Sequence, residues 1–267
     1  MKTKLYLPFL FAIIFIISAC DKNNDLIIFS IEDDKQLGAQ LAQEIASNPT
    51  EYPVLDPAQY PEAYNYLNNI VDKILSSDAV TYRDEFAWEV RIIDQDVRNA
   101  FAAPGGYIYV YTGLINYLEK EDDLAGVIGH EIAHADQRHT IKQLQKVYGL
   151  QILLSIVLGN DPGAIKEIAA ALAGNLTMLY FSRDAESEAD DFSVQYLSST
   201  PYQCNGAASF FEKLIENDEA SDIAQFLSTH PSPENRVEAI NSKANEVNCS
   251  ISPYDPDSYQ EFKNMLK

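Results

Sequence analysis

Apolar residues recur every four positions at Leu37, Leu41 and Ile45, up to Asn48-Pro49, and predict a helix packed against a core. Tyr64, Leu67, Ile70, Val71, Ile74 and Leu75 form a second apolar stripe at helical spacing. The period then changes. Phe86, Trp88, Val90 and Ile92 alternate with Ala87, Glu89 and Arg91, the pattern of a half-buried strand. A second strand is predicted from Tyr107 to Tyr111, after the breaker run Pro104-Gly105-Gly106. From Asp122 onward the pattern is helical with intervening loops. The apolar stretch Gly149 to Gly159 falls well short of the ~20 residues of a membrane-spanning helix and reads as a buried core helix. Beyond the Asn160-Asp161-Pro162-Gly163 turn, one long helix is expected from Ala164 to about Leu197. With no internal repeat or low-complexity block, these elements describe one α+β domain, mainly helical, with a small sheet.

The N-terminus departs from this pattern. Lys2 and Lys4 precede an uncharged apolar run from Leu5 to Ile17, and Ser18-Ala19 stand directly before Cys20, the layout of a secretory signal ending in a bacterial lipobox. Residues 1–19 are therefore expected to be a lipoprotein signal peptide, residues 20–30 a tether beginning at a lipidated Cys20, and residues 31–267 the domain. Removing residues 1–19 takes two of the 19 basic residues and none of the 40 acidic ones, which leaves 17 against 40 and a net charge of −23. Such a charge disfavours nucleic acid and bare anionic membrane as partners, so membrane attachment has to come from acyl chains on Cys20. With Cys20 lipidated, only the thiols of Cys204 and Cys249 remain, and an even number in an oxidising compartment predicts a disulfide between them.

The chemistry concentrates in His130-Glu131-Ile132-Ala133-His134, set in a helix-compatible apolar context. Residues four apart share a helix face, so both imidazoles can reach one ion while Glu131 projects beside them. Two neutral imidazoles bind Zn²⁺ without cancelling its charge, and an open position holds a water whose pKa falls to near ~7, from which Glu131 can take the proton. A third protein ligand is required. An extension to a glycine three residues and a histidine six residues past His134 fails, because those positions are Gln137 and Thr140. His139, nine residues past His130, is predicted to face the opposite side of the helix, near a helix C-terminus where it meets the dipole. Glu186 and Asp190, four apart in Ser182-Arg183-Asp184-Ala185-Glu186-Ser187-Glu188-Ala189-Asp190, offer a carboxylate ligand with its supporting acid, with Glu188 pointing elsewhere. Spacing alone leaves a solvated acidic helix face equally open.

Four segments, in the family's order, resemble the CAAX prenyl endopeptidase and HtpX-like zinc metallopeptidases: Asn99 to Gly106, His130 to His134, Ser182-Arg183 with Glu186 to Asp190, and His230-Pro231 followed by Arg236. The resemblance runs from about Ile31 to Ile240 and implies a zincin-like domain whose edge strand borders the active-site cleft. It implies one Zn²⁺ per chain on His130, His134 and Glu186, with Asp190 supporting a ligand and Glu131 as base. It also implies that His230 lies close to the metal, where it stabilises an oxyanion or closes the coordination sphere, and that Arg236 anchors its loop on a carboxylate. Asn99, Ala102, Tyr107 and Tyr109 are implied substrate contacts, with Tyr107 to Tyr111 presenting an edge for an extended peptide. Integral-membrane members carry several hydrophobic spans that this sequence lacks after its signal, so processing of prenylated termini is not implied. The expectation is a lipid-anchored endopeptidase facing the periplasm, acting on envelope proteins or peptides in quality control. The alternative is a binding or chaperone-like lipoprotein with a latent or occluded zinc site.

Overall fold

A computed structural model describes residues 27–149, 153, 163–216, 229–231, 235–254 and 257–267. The signal, Cys20 and most of the apolar stretch after Gly149 lie outside the described residues. Helices α1 (Ile31–Ala46) and α2 (Pro61–Leu75) occur where their apolar stripes predict them. Ser30 caps α1 by accepting from Asp33 N–H, while the Asp33 carboxylate accepts from the Ser30 N–H. Packing begins earlier than the sequence suggests. Ile27 and Phe29 are buried and Ile28 N–H donates to Gln145 Oε1, so these residues belong to the packed domain rather than to a tether.

Three strands, β1 (Glu89–Ile93), β2 (Ala100–Ala103) and β3 (Tyr107–Tyr111), form a sheet in the order β1-β3-β2. β1 runs parallel to β3 with Glu89 opposite Tyr107, and β2 runs antiparallel with Ala103 opposite Tyr107. The predicted first strand is shortened at its start because Trp88 takes the left-handed conformation, φ 45°. β2, embedded in the Asn99 to Gly106 run, went unread because four residues of mostly alanine carry little alternation. This strand corrects one expectation. Tyr107 to Tyr111 is the central strand, hydrogen-bonded on both sides, and presents no edge to a peptide.

Both faces of the sheet are covered. Val90, Ile92, Ala102, Ile108 and Val110 face one hydrophobic cluster, and Ile93, Phe101, Tyr109 and Tyr111 face another. Tyr109, 1% exposed, stacks on Phe101 with ring centroids 4.7 Å apart, so it is a core residue and not a substrate contact. The turn from β2 to β3 uses Gly105 and Gly106 at positive φ, and α1 presses on it so closely that a Cβ at Gly38 would lie 1.9 Å from Pro104 O.

Short α3 (Thr112–Tyr117) leads into α4 (Glu121–Asp136), buried along its whole length. α4 ends at Asp136, and α5 (His139–Tyr148) begins three residues later. Between them Arg138 sits in the left-handed region at φ 58°. The predicted long helix is also two: α6 (Ala164–Gly174) stops at Gly174-Asn175, and α7 (Arg183–Leu197) starts afresh where the Ser182 side chain accepts from Ala185 N–H. α8 (Gly206–Glu216), α9 (Arg236–Val247) and α10 (Asp257–Met265) follow. Cys204 and Cys249 are joined by a disulfide across a sequence separation of 45 residues. No helix among the described residues is long and apolar enough to cross a membrane.

The Arg138 conformation is held by a buried ion pair. Its Nε and Nη2 donate to Asp34 Oδ2 and Oδ1 at 2.6 and 2.8 Å, and Nη2 also reaches Phe29 O, so α1 is tied to the α4–α5 corner. Removing one partner of a buried pair strands the other charge. Asp34→Ala is expected to lower stability by about 3–5 kcal/mol, measured as a fall in the urea midpoint.

Candidate metal centre

Three helices and one loop converge on a single buried point. α4 supplies His130, Glu131 and His134, one turn apart on the face turned toward α7, which supplies Glu186 and Asp190. Residues 229–231 bring His230, and the first residue of α9 is Arg236. His130 Nε2 and His134 Nε2 lie 2.9 Å apart. Glu186 Oε2 is 3.4 Å from His130 Nε2, and Oε1 is 3.4 Å from His134 Nε2. His230 Nδ1 is 3.1 Å from Glu186 Oε1, and its Nε2 is 3.4 Å from Glu131 Oε1. One donor atom from each of His130, His134, Glu186 and His230 falls within 4.8 Å of all the others.

The donor set fits one divalent cation. Two imidazole nitrogens and a carboxylate face one another at close range, an arrangement that nitrogen and oxygen donors hold around a positive charge. With neutral imidazoles, the three carboxylates of Glu131, Glu186 and Asp190 oppose the one guanidinium of Arg236, and the two negative charges left match a doubly charged ion. Glu131 is fully buried, yet neither carboxylate oxygen has a hydrogen-bond partner among the described residues. Nitrogen ligands with one carboxylate suit zinc.

The supporting contacts are as specific as the converging atoms. His130 Nδ1 lies 2.9 Å from Asp190 Oδ1, which leaves Nε2 to face the centre. Arg236 grips Asp190 with Nε and Nη2 at 2.6 and 2.8 Å, places Nη1 3.1 Å from Glu186 Oε2, and lies over the Phe211 ring at 3.9 Å. The arginine thus does more than anchor its loop, since it braces two of the site's carboxylates. Phe181 stacks on the His134 ring, centroids 4.0 Å apart. Burial and the Arg236 charge push the His130 ring down, but Asp190 and Glu186 outweigh them and carry its pKa up to about 9. Burial, aided by the His130 charge, takes His134 well below the usual histidine value. Against the upward push of burial, His230, His130 and His134 hold the Glu186 carboxyl well below the carboxylate range.

Other predicted residues land differently. Asn99 is buried and its Nδ2 donates to Thr229 Oγ1 at 3.3 Å, so it braces the residue before His230. Ala102 is buried on the sheet face toward α4, and Tyr107 is half-buried at the start of β3. The position expected for His139 is wrong. Because the helix breaks at Arg138, His139 turns back, its Nδ1 2.9 Å from His134 Nδ1 and its Nε2 3.0 Å from Glu188 Oε2. Burial lowers the His139 pKa. Asp136-Gln137-Arg138 contains no glycine or proline, so nothing in the residue pattern marked the break.

The model of the peptidase family M48 matches residues 61–244, well over half of the chain. The chain belongs to peptidase family M48. Its relatives include the mitochondrial metalloendopeptidase OMA1 of Arabidopsis thaliana, 31% identical over 178 residues, covering 66% of this chain and 35% of that protein. The putative beta-barrel assembly-enhancing protease of Vibrio cholerae is 29% identical over 196 residues, 70% of this chain and 40% of its own length. The beta-barrel assembly-enhancing protease of Escherichia coli is 28% identical over 179 residues, 63% and 37% respectively. The chain thus spans about a third to two fifths of the length of these curated relatives. M48 peptidases are zinc-dependent, in keeping with the buried donor set here.

The contact between Asp190 and His130 makes a measurable demand. Asp190→Ala is expected to weaken zinc binding by about 10–100-fold, read by competition with a chromogenic chelator, while the far-UV circular dichroism stays that of the wild type.

Proposed function

We propose that this M48 chain is a zinc-dependent endopeptidase of the bacterial cell envelope, with His130, His134 and Glu186 as the zinc ligands and Glu131 as the general base. The observation that carries this reading is Glu131, whose buried carboxylate has no hydrogen-bond partner among the described residues and stands beside the converging donors, 3.4 Å from His230 Nε2. A buried carboxylate without hydrogen bonds is costly, and such groups cluster where chemistry uses them. When bound, the ion supplies Lewis acidity, which lowers the pKa of the attacking water and polarises the scissile carbonyl. Glu131 takes the proton from that water on a carboxylate oxygen and returns it to the leaving amine nitrogen. His230, with its nitrogens 3.1 Å from Glu186 Oε1 and 3.4 Å from Glu131 Oε1, would donate a hydrogen bond to the carbonyl oxygen as its negative charge grows. Asp190 and Arg236 keep His130 and Glu186 in place.

β2, which follows Asn99, is an outer strand of the sheet and packs against α4 with all four residues buried, so the peptide contact first expected on Tyr107 to Tyr111 is not carried over to it. The relatives' names, a metalloendopeptidase and two proteases, support a protein or peptide substrate. Acyl chains on Cys20 give the membrane attachment, and envelope proteins that have failed to fold or assemble are the substrates that suit an enzyme held there. The kinship with CAAX prenyl endopeptidase and HtpX-like enzymes rests on the four sequence motifs.

A second reading has His230 as a fourth ligand, closing the sphere and keeping the enzyme latent, and the membership of His230 in the converging set favours it. Wild-type protein is expected to carry one zinc per chain and to digest casein. Glu131→Gln should keep the zinc and lose about 10²–10⁴-fold in rate, and an unchanged rate would remove Glu131 as the base. His230→Ala separates the two roles of that residue: faster digestion means latency, and slower digestion means oxyanion stabilisation.

A further inference from the structure

The two α4 histidines of the site, His130 and His134, are supported unequally. His130 meets a carboxylate directly, Nδ1 to Asp190 Oδ1, whereas His134 Nδ1 meets another imidazole, His139 Nδ1, at 2.9 Å. His139 in turn reaches Glu188 Oε2 through Nε2 at 3.0 Å. Only one assignment of protons satisfies the chain His134–His139–Glu188 with a neutral ligand. His134 turns Nε2 toward Glu186 and His130, so Nε2 is its lone-pair nitrogen and its proton sits on Nδ1. That N–H needs an acceptor, which His139 provides at Nδ1. His139 then carries its own proton on Nε2 and donates it to the Glu188 carboxylate.

We propose that His139 is a positioning residue for the metal site, accepting from His134 Nδ1–H and resting on Glu188, so that this chain fixes the tautomer and rotation in which His134 presents Nε2. The inference rests on the reading of His134 as a zinc ligand. Phe181 fixes the plane of the His134 ring by stacking, but a 180° flip about Cβ–Cγ keeps that plane and exchanges Nδ1 with Cδ2 and Nε2 with Cε1. A directional hydrogen bond at Nδ1 removes that freedom. His139 is 3% exposed and its contact is sheltered, while the Glu188 side chain is 28% exposed. Glu188 and His139 line a cavity of about 240 Å³ together with Lys142, Lys146 and Phe181, so the outer end of the chain lies at a surface that tolerates substitution. The α4–α5 break makes this possible: an uninterrupted helix would carry His139 away from His134.

The test is zinc affinity measured by chelator competition, with the urea midpoint of the metal-free protein as a control for folding. His139→Phe keeps a ring of similar size and removes the acceptor, and is expected to weaken zinc binding by about 10–100-fold. His139→Asn places a carboxamide oxygen near the lost Nδ1 and should recover most of the affinity. Glu188→Gln should weaken binding less, and should have no further effect in the His139→Phe background, because Glu188 acts only through His139. Unchanged affinity in His139→Phe, or additive losses in the double variant, would overturn the proposal. Should His139→Phe fail to fold, Glu188→Gln and His139→Asn decide: full affinity in the first together with loss in the second would also overturn it. A wild-type protein that binds no zinc would remove the metal-site reading itself, an outcome distinct from a zinc-binding protein indifferent to His139.

Discussion

Burying Glu131, Glu186 and Asp190 around one group of histidines is the constraint around which the rest of the molecule is arranged. Ions taken out of water each lose several kcal/mol of solvation, and like charges buried together add repulsion. Positive charge has to be delivered to the same place. One part comes from Arg236, held over Phe211 with its guanidinium against Asp190 and Glu186. The other part is the cation for which the histidines are arranged. α4, α7 and α9 are therefore held together by electrostatics as well as by apolar contact, and a defect in any one leaves unmatched charge in the other two.

The sheet serves this centre as a wall. Its alternation divides two hydrophobic clusters, so α1 and α6 pack behind it while α4 lies in front. A three-stranded sheet with one free face would be marginal; covered on both, it is a rigid support for β2. The buried Asp34–Arg138 pair carries that rigidity on to the α4–α5 corner, and there it decides which way His139 points.

Much of this was legible in the sequence where periodicity and motif spacing are strong. The stripes of α1 and α2, the strand Tyr107 to Tyr111, the His130 to His134 motif and the disulfide pairing all emerge from residue pattern. Glu186 needed the family resemblance, because an acidic segment four apart reads equally well as a wet helix face. What pattern missed was set by tertiary contact. β2 is too short and too rich in alanine to announce itself, and its presence turned the supposed edge strand into the central one. The α4–α5 break is enforced by an ion pair from a residue about a hundred positions earlier, so no local signal carries it. Tyr109 was a substrate contact only by the family resemblance, and the residue pattern did not oppose it because alternation alone cannot tell a sheet buried on both faces from one that is wet on one side.

The Cys204–Cys249 bond encloses the stretch of chain that holds both His230 and Arg236. A scission anywhere in that stretch leaves the two pieces covalently attached, with α9 still fastened beside α8. The histidine and the arginine can then be parted from the rest of the centre only by two events, a cut and a reduction. The part of the site that the loop and α9 contribute is thereby the part that the covalent structure retains.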